Sequence, residues 1–129
     1  MSDTDVPAST IDAINFDCAD PRRLAAFWGA ALGYELADVD GGGAVIRDPH
    51  GKGHVLLFFV VPEGKAVKNR IHLDLTPPGM MREEVERLRG LGATVERLVE
   101  EGNSRWTIML DPEGNEFCVL RGDVERGES

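Results

Sequence analysis

Lys68-Asn69-Arg70-Ile71-His72-Leu73-Asp74-Leu75 decides the fold, because its centre has an echo earlier in the chain. Ile71-His72-Leu73-Asp74 matches Ile14-Asn15-Phe16-Asp17 at an offset of 57. Both stretches alternate well enough to read as half-buried strands. Arg70 to Leu75 then carries Arg70, His72 and Asp74 on one face, and Ile11 to Asp17 carries Ala13, Asn15 and Asp17.

The segments after these two strands are also alike. After the first, Asp20-Pro21 opens a helix: Asp accepts orphan backbone N–H groups and Pro fits the first helical position. Leu24, Phe27, Trp28, Ala31 and Leu32 make its apolar stripe, and Gly33 ends it. After the second, Pro77-Pro78-Gly79 breaks the chain and Met81, Val85 and Leu88 mark a helix ending around 90–92. Arg82 with Glu86 and Glu83 with Arg87 are spaced i,i+4 on its outer face.

Each helix precedes three short runs parted by turn signals, the pattern of an antiparallel meander. In the first half these are 34–39, 44–47 and 54–61, with turns at Asp40-Gly41-Gly42-Gly43 and Asp48-Pro49-His50-Gly51. In the second they are 93–99, 104–110 and 116–121, with turns at Glu101-Gly102-Asn103 and Asp111-Pro112-Glu113-Gly114. Leu32-Gly33 and Leu91-Gly92 repeat at an offset of 59, and the two Asp-Pro turns at 63. Matches in the same order within the same β-α-β-β-β cycle indicate duplication. We therefore expect an α+β domain of two tandem βαβββ modules, 11–62 and 68–121, burying one shared core. The head, 1–10, and the tail, 122–129, are expected to be disordered.

The 129 residues fit one domain. With 14 Lys and Arg against 23 Asp and Glu, the net charge of -9 disfavours nucleic acid and anionic lipid. The longest apolar run, Val55 to Val61, falls far short of the roughly 20 residues of a membrane helix. The polar, acidic first ten residues do not read as a signal peptide, so a cytoplasmic protein is expected. Cys18 and Cys118 belong to no CxxC pair and are expected to be free, buried thiols. Gly41-Gly42-Gly43 lies between strands rather than before a helix, so it cradles no phosphate.

With these motifs in place, the chain from about Ile11 to Arg121 resembles the glyoxalase, bleomycin-resistance and extradiol-dioxygenase (vicinal oxygen chelate) superfamily, and within it the short glyoxalase-like domain proteins. The resemblance is carried by Asp20-Pro21 through Ala26-Phe27-Trp28 to Leu32-Gly33, by 68–75, and by Trp106 to Leu110 running into Asp111-Pro112-Glu113-Gly114-Asn115-Glu116-Phe117-Cys118-Val119. It implies curved mixed and antiparallel sheets around a cavity, a concave face supplying the site, and a homodimer. Metal-using members take ligands, commonly His, Gln or Glu, from the first and last strand of each module. Those positions fall here near Ala13 or Asn15, on His72, near Phe58 or Phe59, and on Glu116 or Cys118. Only His72 and Glu116 are ordinary ligands, since Asn15 is weak and Cys118 is unusual at a hard-cation site. The four-ligand set is absent.

The expectation is thus a small-molecule binding or processing protein without a metal cofactor. Asn15, Asp17, Arg70, Trp106, Glu116 and Cys118 would contact the ligand, with His72 and Asp74 as an acid/base pair. His72 and Asp74 could equally form a satisfied polar network, and Asn15 and Asp17 could bond one another. Trp106 reads equally as pocket floor or core; Trp28 reads as core, both Asp-Pro turns as structural, and His50 and His54 as exposed. Two alternatives stand: a divalent-metal lyase, isomerase or dioxygenase using His72 and Glu116, and a structural or partner-binding domain whose cavity is filled by Phe58, Phe59 and Trp106.

Overall fold

The computed structural model describes residues 7–126. The first module runs β1 (Ala13–Cys18), α1 (Pro21–Leu32), β2 (Glu35–Val39), β3 (Gly43–Arg47) and β4 (Val55–Val60). The second runs β5 (Leu73–Leu75), α2 (Met81–Gly90), β6 (Thr94–Glu101), β7 (Ser104–Leu110) and β8 (Glu116–Leu120). Each forms a four-stranded mixed sheet, in the orders β1-β4-β3-β2 and β5-β8-β7-β6. In both, the first strand pairs parallel with the last and the remaining pairs are antiparallel. The duplication and the α+β class read from sequence are therefore present in the structure.

α1 starts and stops as its sequence requires. Asp20 accepts from the Arg23 amide at 3.2 Å, and Gly33 takes φ 71 at the C-terminus, a left-handed conformation that glycine adopts without strain. Its stripe is fully buried at Leu24 and nearly so at Phe27 and Trp28. That stripe packs on Ala44, Ile46, Leu56 and Phe58 of its own sheet and reaches across to Phe117 of the other module. One core therefore serves both modules.

Polar links cross the same junction. The Glu113 carboxylate accepts from the Ala19 and Asp20 amides, each at 2.7 Å. Arg87 donates to the Ala30 and Ala31 carbonyls, which are orphans of the last turn of α1. Arg87 also pairs with Glu84, and Arg89 with Glu86, so the charge pairs of α2 are i,i+3 rather than the expected i,i+4.

Both Asp-Pro turns have a backbone role. Asp48 accepts from the amides of His50, Lys52 and Gly53, and Asp111 from those of Glu113 and Asn115. Gly51 and Gly114 adopt positive φ there. His50 and His54 are exposed.

Two boundaries differ from expectation. β5 has 3 residues, so Arg70 and His72 lie before the strand rather than in it. The reason is register: Leu73 pairs with Phe117, so 70 and 71 would fall opposite the Asp111 turn, and the Glu116 amide opposite His72 donates to the Asn69 side chain instead. The tail also differs at 122–126, which turns back onto α2. Met80, at the N-cap, offers no side-chain hydrogen bond, and the Glu125 carboxylate supplies one by accepting from the Met81 amide at 2.7 Å. Residues 1–6 and 127–129 lie outside the described residues, and 7–10 carry no helix or strand.

Candidate functional site

The sheet orders leave β1 and β5 as edge strands, and a cavity of about 370 Å³ opens at the seam between β1 and the segment leading into β5. That volume is ligand-sized. Ile14, Phe16, Trp28 and Leu73 form its apolar wall. Asn15 and Asp17 of module one meet Arg70, His72 and Glu116 of module two around it, with Asn69 and Asn115. Five of the residues singled out from sequence therefore converge, although Arg70 and His72 arrive on an irregular segment.

Their hydrogen-bonding states differ. Among the described residues, the side chains of Asn15, Asp17 and Arg70 have neither a hydrogen-bond nor an ion-pair partner. His72 Nε2 stands 3.2 Å from Asp74 Oδ1, both side chains being about half exposed. The contact forms because His72 is outside the ladder, so the two are not held as rigid i,i+2 strand neighbours.

Glu116 is engaged elsewhere. Its carboxylate accepts from Lys68 Nζ at 2.8 and 2.9 Å and from the Asn69 amide at 3.1 Å, while Asn69 Oδ1 accepts from the Glu116 amide at 3.1 Å. The Lys68 hydrogen bond holds its carboxyl below the ordinary range. Glu116 thus fastens the linker between modules to β8. Sequence reasoning misses Lys68 and Asn69 as site builders, and their only sequence signal is their place directly before Arg70.

Asp74, Cys118 and Trp106 do not line the seam cavity. Ladder partners leave a sheet on the same face, so Asp74, Cys118 and Ile108 form one row across the face that α2 does not cover, and Trp106 with Leu120 the next. The expected pocket floor is therefore supplied by Trp28 and Phe16, and Trp106 lies apart. Phe58 is fully buried beneath α1, and neither it nor Phe59 fills the cavity, which runs against the filled-cavity expectation.

The Glu116 carboxylate, the expected partner of His72 at a metal, is held by Lys68 and the Asn69 amide. His72, Asp74 and Cys118 instead bring one donor atom each within 4.8 Å of the others, a nitrogen, oxygen and sulfur set. Burial, then the Asp74 charge, pushes the Cys118 thiol up to about 11; burial, then Glu113, does the same at Cys18. Both thiols are free and buried. A nucleophilic role does not fit thiols held protonated. Among the described residues no helix is long and apolar enough to cross a membrane.

Among solved structures, the chain is similar to a FosX fosfomycin resistance protein from Listeria monocytogenes complexed with Mn(II) and 1S,2S-dihydroxypropylphosphonic acid, at 15% identity and TM-score 0.72 over 93% of this chain and 95% of that one. It is similar to a possible glyoxalase from Bacillus cereus at 22% identity and TM-score 0.65, over 88% and 99%. It is similar also to a glyoxalase/bleomycin resistance protein/dioxygenase family enzyme from Burkholderia phytofirmans PsJN at 17% identity and TM-score 0.63, over 86% and 97%. No curated protein matches the chain. The family model of the glyoxalase-like domain matches residues 13–120. With that match spanning both modules, and with the paired βαβββ sheets already in view, the chain belongs to the glyoxalase-like domain family.

Proposed function

We propose that this protein binds, and by acid/base chemistry processes, a small organic anion in the cavity between its modules. The carrying observation is that Asn15, Asp17 and Arg70 surround a ligand-sized, apolar-walled space without protein partners. An unpaired guanidinium matches a carboxylate or phosphonate, to which it can donate in parallel. Asn15 supplies donor and acceptor to a neutral substituent, and Ile14, Phe16 and Trp28 receive the apolar part.

His72 is the acid/base candidate, with Asp74, 3.2 Å from its Nε2, orienting its ring. The FosX relative is complexed with a small dihydroxylated phosphonate, the chemical class that Arg70 suits. The test is thermal melting with a panel of small carboxylates and phosphonates that includes 1S,2S-dihydroxypropylphosphonic acid. A rise in Tm that Arg70→Ala abolishes supports the reading; a panel without effect on the wild-type chain removes it.

The protein is also proposed to form a homodimer. Phe59 and Val60, at the end of β4, are 45% and 49% exposed, apolar area that a second copy would cover.

A further inference from the structure

We propose that the molecule bound in the seam cavity is zwitterionic, an organic anion that also carries an ammonium group, with the anion meeting Arg70 and the ammonium meeting Asp17. The inference rests on the seam being the ligand site and names the chemical class that site takes. Arg70 and Asp17 line the same cavity with opposite charges, and among the described residues no ion pair joins them or satisfies either one. Both stand on anchored backbone. Asp17 is opposite Phe59 in the β1–β4 ladder, and the bonds of Lys68 and Asn69 to Glu116 tie the chain directly before Arg70 to β8. Opposite charges held on the two sides of one seam, each unpaired, are complementary to a ligand with two opposite charges of its own.

The two sides of the seam also differ in their surroundings. An adjoining space of about 290 Å³ shares Asp17 and Asn115 with the seam cavity and adds the carboxylates of Glu63 and Glu113. Among the described residues Lys65 is its one lining cation, and that ammonium donates to the Val67 carbonyl. Burial, then the charges of Glu113, Asp20 and Asp17, pushes the neighbouring Cys18 thiol up to about 11, the mark of a negative field at this end. On the module-two side, Lys68 takes up the Glu116 charge, which therefore does not cancel Arg70. The net charge of -9 opposes the approach of a simple anion, and an ammonium on the same molecule offsets that repulsion.

Matched probes that differ only by an ammonium in place of a methyl group supply the test: 2-aminoethylphosphonic acid with propylphosphonic acid, and 4-aminobutyrate with pentanoate. Each would be titrated into the full-length chain near neutral pH and followed by ¹H–¹⁵N correlation. The ammonium member of each pair should bind at least about fivefold more tightly, the upper end for an exposed ion pair, and should alone shift the Asp17 and Asn115 amides. Asp17→Asn should collapse that preference, weakening the ammonium members and tightening the others as repulsion of the anion is removed. Arg70→Ala should weaken all four. Should Asp17→Asn fail to fold by circular dichroism, the location of the shifts in the wild-type chain replaces it as the readout. Equal binding within each pair, a preference that survives Asp17→Asn, or ammonium members that leave the Asp17 amide unmoved overturns the zwitterion assignment while the seam still binds anions. Failure of all four to bind overturns it too, and if the wider carboxylate and phosphonate panel is also silent, the seam reading falls with it.

Discussion

Trp28 Nε1 donates to Asp111 Oδ2 at 3.0 Å, inside the core and across 83 residues of sequence. The indole lies on α1 and the carboxylate in the β7–β8 turn, so one buried hydrogen bond ties the modules together beside the cavity. Asp111 is 3% exposed and also accepts from Glu113 and Asn115. Asp111→Ala would orphan the indole N–H and those amides, each a loss of about 1 kcal/mol or more. We expect urea unfolding to show a destabilisation of roughly 3 kcal/mol. A change below about 1 kcal/mol would show that the link is dispensable.

The C-terminal turn gives a second prediction. A Cβ at Gly122 would fall on the Gly79 carbonyl oxygen, a backbone atom that cannot step aside. Gly122→Ala should therefore expel the turn and remove the Glu125 cap. Glu125→Gln keeps the shape, weakens the charge-assisted bonds to Met81 and Gly122 and removes the 3.9 Å ion pair with Arg105. Glu125→Gln should reduce stability by about 1 kcal/mol or less, the scale of a cap, and Gly122→Ala by more. Amide exchange at Met81 should accelerate in both.

Stability should fall at both ends of the pH range. The carboxyls of Glu116, held by Lys68, Glu125, held by the Met81 amide, and Asp48, held by the His50 amide, lie below their ordinary values. Their contribution is complete above the unfolded range near about 4 and is lost as pH drops through the folded values. The thiols shift oppositely: unfolded, they ionise near 9, while folded they keep the proton until about 11. Stability therefore declines as pH rises through that window. Melting temperature against pH should form a plateau with losses on each side, and Cys18→Ala with Cys118→Ala should flatten the alkaline arm.

Phe59 tests the assembly. Sedimentation at micromolar concentration should give a dimer, and Phe59→Asp should shift it toward monomer while the circular dichroism stays native.

The fold was legible because duplication wrote it twice: Asp20-Pro21, Gly33 and both Asp-Pro turns have local backbone reasons that hold wherever the chain goes. The site was legible only in part. Asn15, Asp17, Arg70, His72 and Glu116 reach one cavity, but strand alternation wrongly groups Arg70 with Asp74 on one ladder face. The point where a ladder ends depends on its partner, here β8 beginning at Glu116, 41 residues after β5 ends at Leu75. Lys68's hold on Glu116 and the approach of Cys118 to Asp74 are likewise products of tertiary register, without a trace in local pattern.

Ligand binding at the seam between the modules is tested most directly by a ¹H–¹⁵N correlation titration of the full-length chain with the carboxylate and phosphonate panel. Saturable shifts centred on the amides of Asn15, Arg70 and His72 are expected, reduced at least about tenfold in affinity by Arg70→Ala, since a charge-assisted pair contributes about 1.5–3 kcal/mol. Shifts centred instead on the roughly 330 Å³ groove between α1 and β2, around Ala26, Ala30 and Leu36, would contradict binding at the seam, as would a panel that moves no resonance.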